Sequence, residues 1–280
     1  MQKNKISAAA KRLLQRRGVA AVLAAYVLFL LFSVVWFAAN GQARNALLSA
    51  AYLLIAPAFL LIERAFRLEF GAVFAALLFF LAAGGILGSS YDVYTLVPCF
   101  DDILHGLSGV IFACAGFGLA QKIFGKDGAG KSFFACLAAG FVFTLAVASL
   151  WELFEYASYA FFGIDMQEDT LIHGFASYFL AGSHNATVVV DGIEKTVIYY
   201  GNGQTLVLDG YLDIGMYDTL NDITVCFLGG LAWVAVLLID HALHGPFRRL
   251  LLPRLLQDTE QKSADVPAKS AQPPANGNDR

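Results

Sequence analysis

Six long apolar runs constrain the fold of this sequence more than any other feature. Each run is close to the ~20 residues that an α-helix needs to cross the hydrocarbon core of a bilayer. Charged residues make up only 15% of the chain, well below the roughly 25% of soluble domains. The runs cover residues 18–39, 46–62, 70–87, 102–120, 133–162 and 219–240. We therefore predict an all-α polytopic membrane protein, a six-helix transmembrane bundle, with a kink at Pro57 in the second helix.

The basic residues predict how the helices are oriented. Lysine and arginine accumulate in cytoplasmic segments next to membrane spans. With the N-terminus inside, 17 of the 19 lysines and arginines are cytoplasmic, and only Arg44 and Lys195 lie outside. The inverted topology would reverse this count. We expect a multi-pass protein of the cytoplasmic membrane with both termini in the cytoplasm and an uncleaved first span.

The acidic residues show the opposite bias. On this topology, 14 of the 22 aspartates and glutamates fall in outer segments or at outer helix ends. An acidic outer surface favours cations and disfavours nucleic acid. Membrane lipids are the expected surroundings.

The same reasoning divides the chain into six parts. The final part is polar and contains three prolines, so we expect it to be disordered. The parts are a basic N-terminus (1–17), five spans (18–162), an extracytoplasmic loop (163–217), the sixth span (218–240), a basic interfacial segment (241–257) and a disordered cytoplasmic tail (258–280).

The outer loop carries hairpin signals. Residues 186–190, 195–200 and 205–208 are rich in β-branched and aromatic side chains, and glycine-containing turns separate them. These runs predict a small extracytoplasmic β-meander of three antiparallel strands. Residues 171–180 are too short to span and are expected along the membrane interface.

Three polar clusters mark the outer ends of the last three spans. With a rise of about 1.5 Å per residue, all three lie at one depth near the outer edge of the membrane. The spacing of three or four residues within each cluster places its members on one helix face. The clusters are Asp101, Asp102 and His105; Glu152 and Glu155; and Asp218, Asn221 and Asp222.

Carboxylates gathered around one imidazole repel one another unless some are protonated or a cation lies among them. Carboxylates and histidine that project inward from bundle helices are also the ligands of metal sites in such bundles. A divalent ion is the simplest neutraliser, and Mg²⁺, Mn²⁺, Ca²⁺ and Zn²⁺ all remain candidates. The alternative is a set of helix-end polar groups solvated by outer water. The predicted metal ligands are Asp101, Asp102, His105, Glu152, Glu155, Asp218 and Asp222.

These motifs resemble a known family. The residues that carry the resemblance are Tyr91, Asp101 to His105 with Ser108 and Gly109, Trp151 to Glu155, Asp218 to Asp222, and Gly229 with Gly230. Over residues 70–240 the chain resembles the YjdF-type family of uncharacterised bacterial inner-membrane proteins, and more distantly it is similar to VanZ-like proteins. The resemblance implies a bacterial cytoplasmic-membrane protein. VanZ-like members are associated with glycopeptide resistance, which implies the cell envelope without giving a reaction.

Three functions remain open from the sequence. The first is an enzyme in which a metal polarises a phosphoryl or carbonyl oxygen of a membrane, envelope or lipid-linked substrate, with a carboxylate or His105 as base. The second is a cation-binding or transport protein, and the third is a non-catalytic accessory protein. Residues 125–132 match a phosphate-binding loop, but no strand leads into them, so we expect no nucleotide. A serine mechanism through Ser108 is disfavoured because the helix offers no oxyanion hole.

Overall fold

The structure is a computed structural model that describes residues 13, 16–124 and 130–256. At residues 130 and 131 it describes the backbone alone. The predicted disordered tail (258–280), most of the basic N-terminus and most of the loop that resembles a phosphate-binding pattern lie outside the described residues.

Among the described residues, six helical segments are long and apolar enough to cross a membrane, and they confirm the predicted fold class. The second segment consists of two helices, α2 and α3, which Leu53 and Leu54 separate. The helices are α1 (Arg17–Ala39), α2 (Ala43–Tyr52), α3 (Ile55–Phe66), α4 (Ala72–Ser90), α5 (Val93–Leu96), α6 (Phe100–Phe124), α7 (Gly130–Phe162), α8 (Tyr178–Ala181), α9 (Met216–Leu243) and α10 (Phe247–Leu251).

Pro57 explains the break between α2 and α3. Proline has no N–H, so it cannot donate to the carbonyl four residues earlier, which belongs to Leu53. The chain tightens there, and the Leu54 N–H donates to the Ala51 carbonyl at 3.0 Å, three residues back. Regular bonding resumes where the Ala58 N–H donates to the Leu54 carbonyl at 3.1 Å. The kink predicted at Pro57 is confirmed.

Short strands lie between the fifth and sixth spans and, as β1 and β8, at the end of the bundle away from the polar clusters. They form four separate antiparallel pairs: β1 with β8, β2 with β7, β3 with β4, and β5 with β6. The strands are β1 (Leu68–Glu69), β2 (Thr170–Ile172), β3 (Gly174–Ser177), β4 (Val188–Asp191), β5 (Thr196–Tyr200), β6 (Gln204–Leu208), β7 (Tyr211–Asp213) and β8 (Arg254–Leu255).

The short strands predicted between the fifth and sixth spans are confirmed, but the three runs do not pair as one meander. Strands β5 and β6 form the expected hairpin, with Tyr200 opposite Gln204. Strand β4 pairs instead with β3. The reason lies after β4, where the Ile193 N–H donates to the His173 carbonyl at 2.8 Å and keeps the chain beside β3. Residues 171–180 accordingly form β2, β3 and the start of α8.

Helices α6, α7 and α9 approach one another closely enough for backbone contact. A Cβ atom at Gly229 of α9 would lie 2.0 Å from the Gly106 carbonyl oxygen of α6. A Cβ atom at Gly140 of α7 would lie 2.5 Å from the Ala113 carbonyl oxygen of α6. The Thr144 hydroxyl of α7 donates to the backbone of α6 at Gly109, at 3.0 Å. Small residues therefore fix the spacing of the three helices that carry the polar clusters.

Buried ion pairs secure the opposite end of the bundle. Glu63 of α3 accepts two hydrogen bonds from the Arg16 guanidinium, at 2.8 and 2.9 Å. Asp240 of α9 accepts from the backbone N–H groups of Phe247 and Arg248 and from the Arg248 Nε atom at 3.1 Å. Glu63 thus connects the end of the second span to the start of the first, and Asp240 connects the end of the sixth span to α10, so both have a structural role.

We expect Gly229→Ala to destabilise the bundle, because the added methyl group meets backbone that cannot move without separating α6 from α9. Overpacking of this kind costs about 1–3 kcal/mol. Thermal unfolding of the detergent-solubilised protein measures the effect.

Gly106→Ala is the matched control, because its Cβ atom would make an ordinary contact of 3.4 Å with Val225. Equal melting temperatures for the two variants would contradict the close approach of α6 and α9.

Candidate metal centre

Five of the seven predicted ligands converge at one end of α6, α7 and α9. They form two groups of three, and in each group one ligand atom per residue lies within 4.8 Å of the other two. Asp222 of α9 belongs to both groups. The first group is Asp101, His105 and Asp222, and the second is Glu152, Glu155 and Asp222.

The first group centres on the imidazole of His105. Its Nε2 atom lies 3.6 Å from Asp101 Oδ2 and 3.5 Å from Asp222 Oδ2. Both distances are longer than a normal hydrogen bond. Atoms that share a metal ion at about 2.0–2.2 Å are separated by roughly 3–3.5 Å, so the spacing suits ligands around one ion.

The second group is deeply buried. Glu152 and Glu155 are each 6% exposed, and Asp222 is 2% exposed. One oxygen of each carboxylate has no hydrogen-bond partner in the described part of the chain: Glu152 Oε2, Glu155 Oε2 and Asp222 Oδ1. A buried polar atom without a partner is costly, and either protonation of these acids or a cation shared among them relieves that cost.

Exposure rises from the second group to the first. The side chain of Asp222 is 2% exposed, that of His105 13% and that of Asp101 23%. The site therefore has a closed side formed by α7 and α9 and a more open side formed by the first turns of α6.

The remaining two predicted ligands lie outside both groups. Asp102 accepts a hydrogen bond from the Asn221 side chain at 2.7 Å, which ties α6 to α9. Asp218 accepts from the backbone N–H of Glu168 at 2.9 Å, which ties α9 to the outer loop. In the structure, these two carboxylates therefore hold α6, α9 and the loop before α9 together around the two ligand groups.

Two neighbouring loop residues bring the start of the outer loop over α9. Gln167 donates from Nε2 to the Thr219 hydroxyl at 2.6 Å, next to the bond from Glu168. Burial, and then the charges of Asp101 and two other aspartates, raise the pKa of the Glu168 carboxyl. Sequence reasoning missed both residues, because a polar pair in a loop has no periodicity that marks it.

Tyr94 of α5 is a further neighbour that the sequence did not indicate. Its ring packs on α4, where a Cβ atom at Gly88 would lie 2.3 Å from it. Burial, followed by the charge of Asp101, raises the pKa of its hydroxyl. The phenol therefore lies within electrostatic reach of the carboxylates.

The Ser108 hydroxyl bonds to the backbone of His105 and not to its imidazole. The hydroxyl donates to the backbone carbonyl of His105 at 2.7 Å. Its other neighbour is the Cys226 sulfur, at 3.5 Å. The hydroxyl thus contributes to the packing of α6 against α9, below the imidazole.

These features define an integral membrane protein whose six-helix bundle holds a carboxylate and histidine centre at one end. A family model described as a predicted membrane protein (DUF2238) matches residues 20–242. The match covers most of the chain, and the chain belongs to this family. Comparisons with curated proteins and with solved structures found no match.

We expect Gln167→Ala to loosen the start of the outer loop, because it removes the side-chain bond to α9. A loss of about 1 kcal/mol corresponds to roughly fivefold faster amide exchange of residues 164–170. Hydrogen–deuterium exchange measures the change.

Gln204→Ala, which alters an exposed glutamine at the start of β6, is the control. If exchange in residues 164–170 rose equally in both variants, Gln167 would not anchor the loop.

Proposed function

We propose that this protein binds two divalent cations at the outer membrane face, with the carboxylate of Asp222 between them. The observation that carries the proposal is the pair of ligand groups that share Asp222. In this arrangement Oδ2 of Asp222 serves the position near His105, and the partnerless Oδ1 serves the position near the two glutamates.

Charge favours two ions over one. Four carboxylates, those of Asp101, Glu152, Glu155 and Asp222, carry four negative charges when ionised. Two divalent cations balance them, and His105 contributes a neutral ligand. The five residues also fall into two groups rather than one, so a single ion would leave part of the set without a partner.

The ligand types narrow the choice of metal. Carboxylates suit Mg²⁺, Ca²⁺ and Mn²⁺, whereas imidazole suits Zn²⁺ and other transition metals. The mixed position with His105 therefore favours Mn²⁺ or Zn²⁺. The position formed by Glu152, Glu155 and Asp222 contains only carboxylates, so it also suits Mg²⁺ or Ca²⁺.

We further infer an enzymatic use of the open side. Paired metal ions clamp the attacking and leaving oxygens of a displacement or polarise a carbonyl or phosphoryl oxygen. Asp101 has the more exposed side chain, and its carboxylate oxygen that does not hold an ion can act as base towards a membrane or cell-envelope substrate, while His105 holds the first ion through Nε2. The buried glutamates on α7 hold the second ion.

Transport receives less support from the charge distribution. Among the described residues, α6 has no charged side chain between His105 and Lys122, and α9 has none between Asp222 and Asp240. A permeation path needs further polar sites at depth. The polar layer instead lies at one end of the bundle.

The localisation that fits these features is the cytoplasmic membrane of a bacterium, with the metal centre outside and both termini inside. The ends of α1, α3, α6 and α9 that lie away from the centre carry the basic residues. This asymmetry is the one that the positive-inside rule associates with the cytoplasmic side.

Metal analysis of the purified protein tests the proposal. We expect about two ions per chain in the wild type and about one in Glu155→Gln, because each group supplies one position. Asp222→Asn should bind almost none, since its carboxylate serves both positions. Inductively coupled plasma mass spectrometry after exchange into Mn²⁺ or Zn²⁺ gives the ratios.

Asp102→Asn is the matched control and should keep the wild-type ratio, because its carboxylate pairs with Asn221. Wild-type protein without metal would remove the proposal and leave the buried acids protonated. A single ion that persists in Glu155→Gln would refute the second position.

Labelling of cysteine tests the orientation. Cys99, between α5 and α6, is exposed, whereas Cys114, Cys136 and Cys226 are buried. A membrane-impermeant maleimide added to intact cells should label the wild type, and Cys99→Ser should abolish the label.

Arg64→Cys in the Cys99→Ser background places a thiol at the opposite end and should react only after the cells are opened. Labelling of that thiol in intact cells would invert the topology.

A further inference from the structure

A second site lies at the end of the bundle opposite the metal centre. There the structure contains a cavity of about 460 Å³ between α6, α7 and the segment that follows α9. Three arginines line it, Arg248, Arg249 and Arg254, together with Gln121 and His244. No carboxylate is among the described lining residues.

The fold holds this cavity in shape. The Leu256 N–H donates to the Arg67 carbonyl at 2.9 Å, and β8 pairs with β1. Pro253 packs directly on α6, where a Cβ atom at Gly118 would lie 2.3 Å from it. The segment after the last span is therefore fastened against the bundle, and the cavity does not depend on a loose tail.

The arginines are not equally engaged. Arg248 is held by Asp240, and its guanidinium lies over the ring of Phe133 at 5.8 Å. Arg254 lies opposite Glu69 across the β1–β8 pair. Arg249 is exposed and has no carboxylate partner among the described residues. The cavity thus combines one fixed guanidinium with one that is available to an anion.

The walls are apolar beside the charges. Phe117, Phe133, Leu252 and Pro253 line the same cavity as the arginines. An anion with an attached hydrocarbon matches this combination better than a free inorganic ion does.

We propose that this cavity binds the phosphate group of an anionic membrane lipid. Guanidinium groups pair with phosphate oxygens through charge-assisted, often bidentate, hydrogen bonds. Basic pockets between spans on the cytoplasmic side take lipid head groups. The volume falls within the roughly 300–1,000 Å³ of ligand pockets. This site is independent of the metal centre, so either assignment stands without the other.

Native mass spectrometry of the full-length protein in detergent, titrated with dioctanoyl phosphatidylglycerol, tests the proposal. We expect saturable binding to the wild type and roughly tenfold weaker binding to Arg249→Gln, because one charge-assisted contact is lost. Arg249→Lys keeps the charge without the forked geometry and should lie between the two.

Arg64→Gln is the matched control, since it removes one arginine from the same end of the bundle outside the cavity. Equal weakening in Arg64→Gln and Arg249→Gln would show general surface attraction and overturn the proposal. No saturable binding to the wild type would overturn it as well.

Inorganic phosphate distinguishes the source of the anion. We expect millimolar phosphate to displace the lipid poorly, because phosphate lacks the apolar contacts. Displacement at concentrations equal to those of the lipid would reassign the cavity to a soluble phosphate compound and overturn the lipid assignment. Unchanged thermal unfolding of Arg249→Gln confirms that lost binding is not lost folding.

Discussion

The cost of burying carboxylates in a membrane bundle is the constraint on which the rest of the structure depends. An ionised group without a partner in a medium of low dielectric loses several kcal/mol of solvation. At the basic end, Glu63 and Asp240 meet this cost with arginine and backbone donors. At the other end, Glu152, Glu155 and Asp222 retain partnerless oxygens in the described part of the chain. This contrast within one chain separates the carboxylates that join segments of the bundle from those that we propose as metal ligands.

Helix spacing and the acidic centre depend on each other. The glycine contacts between α6 and α9 place the two backbones close together just below His105 and Asp222. Larger residues there would separate the helices and with them the two ligands. Asp102, Asp218 and Gln167 fix the same region from above, through bonds to Asn221, to the outer loop and to Thr219. The acidic centre is therefore held in place by contacts on both sides.

Local rules predicted most of the fold. Length and hydropathy gave six spans, the missing N–H of Pro57 gave the kink, and the helical rise placed the clusters at one depth. The strand pairing could not be predicted by the same rules, because β4 can pair either with β3 before it or with β5 after it in the sequence. That choice depends on contacts such as Ile193 with His173.

Which residues belong to the candidate site also depends on tertiary contacts that the sequence alone does not reveal. Spacing placed Asp102 and Asp218 on suitable faces, as it did Asp222. The difference between them depends on the tertiary arrangement. Asp102 and Asp218 each accept a hydrogen bond from a neighbouring element, whereas one oxygen of Asp222 has no donor in the described part of the chain. The family assignment adds the membrane class and no reaction.

The pairing of β1 with β8 has a consequence for biogenesis. Strand β1 lies between the second and third spans, whereas β8 follows the sixth. Strand β1 therefore cannot pair until the polypeptide has been synthesised as far as β8. The earlier spans are inserted into the membrane without the β1–β8 contact. The end of the bundle that carries this pair is therefore completed only after the last span has been inserted.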